Sequence, residues 1–217
     1  NCDFITDESL PYEENPTAFI TMWGVDNIKI KACGFSNTNP DANTVEELGK
    51  GIISEDASFY VGCGGTCTYD DPCCESSPSS FENLYIGINA KALHSVKTYT
   101  VDNSIFVNCN YAIRNEGVNY FTITRNHFNF GWTPDLSEPF TIGVSNYGGT
   151  QFRIEDNRFA RNPMANLTLI IGTYMNNTGA DNNEVYNNGF LDMFISNWSD
   201  GNNNVDDENG TTNFTGL

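Results

Sequence analysis

The sequence predicts an all-β chain wound as a parallel β-helix, on three observations. A motif of the form aliphatic-x-x-small/polar-x-Phe recurs five times, the residues leading into it alternate with period two, and no stretch sustains a 3.6-residue apolar period. The copies are Ile30-Lys-Ala-Cys33-Gly-Phe35, Val101-Asp-Asn-Ser104-Ile-Phe106, Ile123-Thr-Arg-Asn126-His-Phe128, Ile154-Glu-Asp-Asn157-Arg-Phe159 and Val185-Tyr-Asn-Asn188-Gly-Phe190. The steps between their first residues are 71, 22, 31 and 31. A chain that returns to the same face after each step stacks successive copies at about 4.8 Å, with the aliphatic residue and Phe pointing inward.

The elements follow in order. Ile28-Lys-Ile30, Phe121-Thr-Ile123 and Phe152-Arg-Ile154 each alternate and are expected as short strands. The fourth motif position, Cys33, Ser104, Asn126, Asn157 and Asn188, is expected as a corner column. Asn tolerates left-handed backbone there, and its amide can bond the equivalent residue one turn away. The 71-residue step corresponds to about three turns and contains the Cys-rich loop 62–75. The best helical candidate is the short acidic stretch around Val45 to Leu48. A β-sandwich would require the regular spacing to be coincidence.

The chain has 217 residues, 39% hydrophobic, with 10 Lys+Arg against 28 Asp+Glu and a net charge of −18. That composition supports a core, while the carboxylate excess repels nucleic-acid backbones and anionic membranes. Nothing approaches the roughly 20 apolar residues of a membrane helix, so no direct membrane insertion is expected.

Seven cysteines stand at 2, 33, 63, 67, 73, 74 and 109. The x3, x5 and adjacent spacings of Cys63, Cys67, Cys73 and Cys74 favour disulfides over the two short pairs of a zinc site, with three pairings open. Cys2, Cys33 and Cys109 leave an odd thiol, and a partner for Cys2 is expected outside this stretch. With abundant Asn and scarce Lys, the cysteines point to an extracytoplasmic protein. Asn-x-Ser/Thr triplets at Asn166, Asn176, Asn197, Asn209 and Asn213 are expected by chance in such a composition and predict no glycosylation.

Three runs carry a family likeness: Phe19-Ile-Thr-Met-Trp-Gly-Val-Asp-Asn-Ile-Lys-Ile-Lys-Ala-Cys-Gly-Phe-Ser-Asn37, Gly51-Ile-Ile-Ser-Glu-Asp-Ala-Ser-Phe-Tyr-Val61 and Leu84-Tyr-Ile-Gly-Ile-Asn-Ala90. Over most of residues 17 to 192 the chain resembles secreted right-handed parallel β-helix proteins of the Bacteroidetes. The resemblance implies a secreted or cell-surface protein of a Gram-negative bacterium, of the kind exported as type IX secretion cargo. That family is largely without assigned activity, so the likeness implies fold and location rather than chemistry. The whole of 1–217 reads as one solenoid domain, a segment of a longer array or one subunit stacked on others, with an Asn/Asp-rich tail over 199–217.

The repeat also predicts which side chains share a face. Arg125, Asp156 and Asn187 fall in the third column, Thr124, Glu155 and Tyr186 in the second, and His127 and Arg158 in the fifth. Arg125, His127, Glu155, Asp156 and Arg158 form the one mixed acid-base cluster the register predicts. In an enzyme, Arg would act as base or substrate clamp while Asp held a cation. In a scaffold, the same residues form a charge ladder contributing about 0.2–1 kcal/mol per pair. His94 and His127 have no Ser or Cys partner by spacing, and no phosphate loop or dinucleotide fingerprint occurs.

Asp200, Asn202, Asn204 and Asp206 place oxygen ligands at alternate positions and are the candidate site for Ca²⁺. Val205 and Thr211 stand where a calcium loop needs Gly and a bidentate Glu, which favours a solvated linker. Trp132 is the candidate carbohydrate contact. The leading reading is a non-enzymatic extracellular solenoid, structural or adhesive, partnered by itself or by flanking segments in a filament or surface protein, with no required cofactor. The alternative is a polysaccharide lyase, glycosidase or carbohydrate-binding module on the same scaffold, with a polysaccharide as partner.

Overall fold

A computed structural model describes residues 2–6, 17–38, 46–65, 77–131, 140–162, 169–179 and 181–201. Its strands form three parallel sheets. Sheet A stacks β1 (Asp3–Thr6), β4 (Gly34–Asn37), β7 (Ser79–Glu82), β10 (Ser104–Val107), β13 (His127–Phe130), β16 (Arg158–Arg161) and β19 (Gly189–Leu191). Sheet B stacks β2 (Ala18–Trp23), β5 (Lys50–Glu55), β8 (Ile86–Lys91), β11 (Tyr111–Glu116), β14 (Thr141–Tyr147), β17 (Ile170–Asn176) and β20 (Ile195–Asp200). Sheet C stacks β3 (Ile28–Lys31), β6 (Phe59–Gly62), β9 (Tyr99–Asp102), β12 (Thr122–Thr124), β15 (Arg153–Glu155) and β18 (Glu184–Tyr186). Each turn takes one strand from A, then B, then C, which makes the fold a right-handed parallel β-helix, the hand favoured for parallel crossovers. The one helical element among the described residues is a 3-10 turn at Glu46–Leu48. No helix among them is long and apolar enough to cross a membrane.

The five motif Phe residues, together with Phe4 and Phe81, form one continuous interior column. Phe4, Phe35, Phe81, Phe106, Phe128, Phe159 and Phe190 lie with neighbouring centroids 4.5–5.0 Å apart and planes within 12°. The parallel strand spacing dictates this face-to-face geometry, because identical positions repeat once per turn. A second column, Phe59, Tyr99, Phe121 and Phe152, runs beneath sheet C at 5.0–5.4 Å. The aliphatic motif residues Ile30, Val61, Val101, Ile123, Ile154 and Val185 stand in register in the same sheet. Opposite the Phe column, sheet B carries Gly51, Gly87, Gly143 and Gly172. A Cβ at Gly143 would fall 2.6 Å from the Phe159 ring and from the Gly172 carbonyl, so the rings occupy space that only the smallest residues leave open.

Two expectations are corrected by the register. Ile30 pairs with Val61, and Val61 with Val101, so the 71-residue step contains two turns, of 31 and 40 residues, rather than three. The excursion leaves the coil after Gly62 and rejoins at Ser79, splitting one motif copy between Val61-Gly-Cys63 and Ser79-Ser-Phe81. At its root, Cys63 is disulfide-bonded and 1% exposed, whereas Cys67, Cys73 and Cys74 lie outside the described residues. Cys2, Cys33 and Cys109 are free thiols.

The second correction concerns the corner between sheets C and A. The left-handed residue is the one before the Asn column: Ala32, Asn103, Arg125, Asp156 and Asn187 have φ of 50–56°. The Asn side chains instead turn inward and serve the backbone. Asn157 Oδ1 accepts from the Asn126 backbone N–H at 2.9 Å and from Asn126 Nδ2 at 3.0 Å, while Asn157 Nδ2 donates to the Ile123 carbonyl at 2.9 Å. Asn188 repeats the pattern one turn on, against Asn157 and the Ile154 carbonyl. Buried polar groups require such partners, and the amide ladder supplies them where the chain bends and sheet bonding stops.

Candidate functional site

The corner between sheets C and A carries the predicted acid-base residues, in the predicted columns. Thr124, Glu155 and Tyr186 stand in register, and His127 lies beside Arg158 on adjacent strands of sheet A. The Arg125 guanidinium, however, reaches back one turn. Its Nε and Nη2 donate to Asp102 Oδ1 and Oδ2 at 2.9 and 2.7 Å, a bidentate pair with an aspartate whose side chain is 10% exposed. The Tyr60 hydroxyl donates to the same carboxylate at 3.4 Å, and the Lys31 ammonium lies 5.6 Å from the Tyr60 ring centre. Gly62 makes room for this arrangement, since a Cβ there would collide with Tyr60 Oη and the Asp102 carbonyl. The hydrogen bonds from Arg125 to Asp102 push the guanidinium pKa up, which holds the proton more firmly and works against use of Arg125 as a base. Burial, followed by the Asp102 charge, raises the Tyr60 phenol.

Asp156 and Glu155 also have local partners. Asp156 accepts a hydrogen bond from Asn187 Nδ2. Arg153 bridges Glu184 at 3.0 Å and Glu155 at 3.5 Å, and its pKa is raised mainly by the hydrogen bond to Glu184. A hydrogen bond to Glu155 raises the Tyr186 phenol. Arg125 and Glu155 thus belong to two separate ladders, Tyr60-Asp102-Arg125 and Glu155-Arg153-Glu184, while Asp156 is bound by Asn187 and His127 lies beside Arg158 on sheet A. Asp102, the partner that sequence reading did not assign to Arg125, occupies the second position of the preceding motif copy; the 22-residue step contained that signal.

A second constellation lies on the outer face of sheet B. Arg114 sits between Tyr111 and Tyr147, 5.7 and 5.4 Å from their ring centres, and its Nε is 2.8 Å from Glu116 Oε1. Tyr174 continues the row, 5.5 Å from Tyr147 and edge-on to Trp198 at 5.5 Å. Asn89, one turn before Arg114 in the same column, has a buried carboxamide oxygen without a hydrogen-bond partner. Flat aromatic faces beside a guanidinium and amides are the chemistry that stacks on sugar rings and bonds their hydroxyl or carboxylate groups. Strand periodicity places Arg114, Tyr174 and Trp198 in one column, but the bends between turns concealed that column from a reading centred on the Phe motif.

On the outer face of sheet C a shallow depression of about 220 Å³ is lined by Lys29, Tyr60, Thr98 and Thr100 among others. It is smaller than the roughly 300–1,000 Å³ typical of ligand pockets. Trp132, Asn202, Asn204 and Asp206 lie outside the described residues. Asp200 ends β20, where its carboxylate accepts from the Tyr174 hydroxyl at 3.2 Å and the Gly201 N–H at 2.8 Å. Among the described residues, no group of three or more His, Cys, Asp or Glu could hold a metal ion. No family model, curated protein or solved structure matches the chain.

Proposed function

We propose that the chain is a structural or adhesive segment of an extracellular β-solenoid protein, serving as a rigid spacer at a bacterial surface or in a filament. The observation that carries this reading is the unbroken parallel register of three sheets, each six or seven strands deep, through all the described turns. A stack of this kind is stiff along its axis, because bending it requires separating whole ladders of backbone hydrogen bonds. Location at the surface of a Gram-negative cell rests on the family resemblance. Disulfides among Cys63, Cys67, Cys73 and Cys74 suit an oxidising compartment, and Ca²⁺ at Asp200 to Asp206 is a further proposal.

A second reading, carbohydrate binding, is favoured by one observation, the setting of Arg114 between Tyr111 and Tyr147 on sheet B. It is compatible with adhesion and requires no bond cleavage. The test is incubation with acidic and neutral polysaccharides, following new reducing ends and unsaturated uronate absorbance, in parallel with retention on gels containing each polysaccharide. The scaffold reading expects no turnover. Turnover that Arg125→Ala or Asp156→Asn abolishes would overturn it in favour of an enzyme, and retention lost in Arg114→Ala would establish the binding face.

A further inference from the structure

The depression on the outer face of sheet C has a floor and a rim that the chain holds in place. The floor is one register row, Lys29, Tyr60 and Thr100, on three neighbouring strands. Tyr60 leans across Gly62, where a Cβ would fall 2.6 Å from Tyr60 Cζ, and its hydroxyl is anchored on Asp102, so the half-buried ring lines the floor. The rim is the corner between sheets B and C, formed by Asn27, Ser58 and Thr98. The Asn27 N–H donates to Ser58 Oγ at 3.0 Å, Ser58 Oγ donates to Asp26 Oδ1 at 3.0 Å, and Lys97 pairs with Asp26 at 3.0 Å. The Thr98 hydroxyl donates to the Tyr120 carbonyl at 2.6 Å. These bonds tie successive turns together, so little ordering is left for a ligand to impose.

Three polar groups of this surface have no partner among the described residues: the Lys29 ammonium, the Thr100 hydroxyl and the Asn27 carboxamide. The charge left open is positive. Asp26 and Asp102, the carboxylates bonded to Ser58 and Tyr60, are already paired, with Lys97 and bidentately with Arg125. Lys31 stands by the Tyr60 ring and, like Lys29, has no carboxylate partner among the described residues. The net charge of −18 opposes an acidic ligand at long range, but salt screens charges beyond about 8–10 Å while an ammonium acts at contact. A volume of about 220 Å³ and a span of about 10 Å from Lys29 to Thr100 admit one six-membered sugar ring with its substituents. An aromatic face beside hydroxyls and an amide suits such a ring. A phosphate would instead select guanidinium forks or helix N-termini, which are not among the lining groups.

The geometry points to a site for one carboxylate-bearing pyranose, a uronic acid residue of a glycan. Its ring lies against Tyr60, its carboxylate accepts from the Lys29 ammonium, and its hydroxyls bond Thr100 and Asn27. The inference rests on the carbohydrate-binding reading for the kind of ligand and adds a site on a different face from Arg114. No bond is broken there, so the site serves attachment.

The test is amide chemical-shift titration of the 217-residue chain with methyl glucuronoside and methyl galacturonoside. Methyl glucoside and methyl galactoside, which carry a hydroxymethyl group in place of the carboxylate, are the comparison. The uronides are expected to shift the amides of Lys29, Tyr60 and Thr100 saturably and to bind roughly 10-fold more tightly than the neutral pair, the worth of one hydrogen bond to a charged group. Lys29→Gln is expected to abolish that difference, whereas Lys91→Gln, which removes the same charge from sheet B, keeps it. Neither ammonium has a hydrogen bond or ion pair among the described residues, and an unchanged amide spectrum elsewhere checks the fold. Neutral glycosides that match the uronides, no saturable shift at these residues, or identical behaviour of the two variants would overturn the inference. Uronide shifts confined to Arg114, Tyr147 and Tyr174 would overturn it while upholding the carbohydrate-binding reading, which itself fails if no polysaccharide gel retains the chain.

Discussion

Asp56 shows how one side chain organises a crossing loop. It takes φ 49° after β5, and its carboxylate accepts the backbone N–H groups of Leu93 at 2.8 Å and of His94 and Ser95 at 3.1 Å, together with the Ser95 hydroxyl at 3.1 Å. Lys97 completes the closure, donating to the Gly24 carbonyl at 2.6 Å and pairing with Asp26 at 3.0 Å. The bonds from His94 and Leu93 lower the Asp56 pKa from 3.8 to about 2. A carboxylate with a depressed folded pKa favours the native state above its unfolded value, and that contribution fades as the pH falls through the folded one. Amide exchange at Leu93 to Ser95 is therefore expected to accelerate between pH 4 and 2, and Asp56→Asn to remove that pH-dependent step. Exchange that is independent of pH over this window, after correction for intrinsic rates, would argue against the assignment. At Cys109 the sign is opposite in pH. Burial pushes the thiol up to about 12, so the native state holds it protonated, a preference lost as the solution passes from pH 9 towards 12.

Within the strands, the Phe column and the sheet B glycines act as one packing unit. Sheet B tolerates Ala112 at one place in that column, between Gly87 and Gly143, but nothing larger occurs from Gly51 to Gly172. Gly143→Leu is expected to push into the Phe159 ring and the Gly172 backbone, lowering stability by about 1–3 kcal/mol in denaturant titration. An unchanged midpoint would show that the rings can shift aside. The motif Phe residues were legible as inward-facing because they recur at fixed spacing. Their glycine partners were not, because they belong to a different sheet and the motif contains no trace of what packs across from it.

For the molecule as a whole, each turn touches chiefly the turns before and after it, so stability is distributed along one axis. Phe128 lies near the middle of the stack, between Phe106 and Phe159. Phe128→Ala would leave a cavity costing about 3–5 kcal/mol and interrupt the column. Its expected signature is unfolding in two phases, with amide exchange protection lost first near β10, β13 and β16 and kept longer towards the remaining turns. A single cooperative transition merely shifted to lower denaturant would show that the solenoid behaves as one unit. Rigid repetition on this scale is also what the proposed scaffold role requires, since a spacer must transmit load from one end to the other.

Residue spacing was enough to specify the all-β parallel stack, the inward Phe column, the Asn corner and the columns holding Arg125, Asp156, Glu155, His127 and Arg158. Each follows from residue spacing, and spacing is a property of the chain. Packing in three dimensions added that the left-handed residue precedes the Asn, that the Cys-rich excursion splits a motif copy, and that Arg125 pairs with Asp102 rather than Asp156. It also decided that Arg114 and the sheet B tyrosines share a face. The reason is physical: a repeat fixes which residues are neighbours from turn to turn. Which neighbour a long polar side chain chooses depends on the space left by others, as Gly62 leaves it for Tyr60 over Asp102.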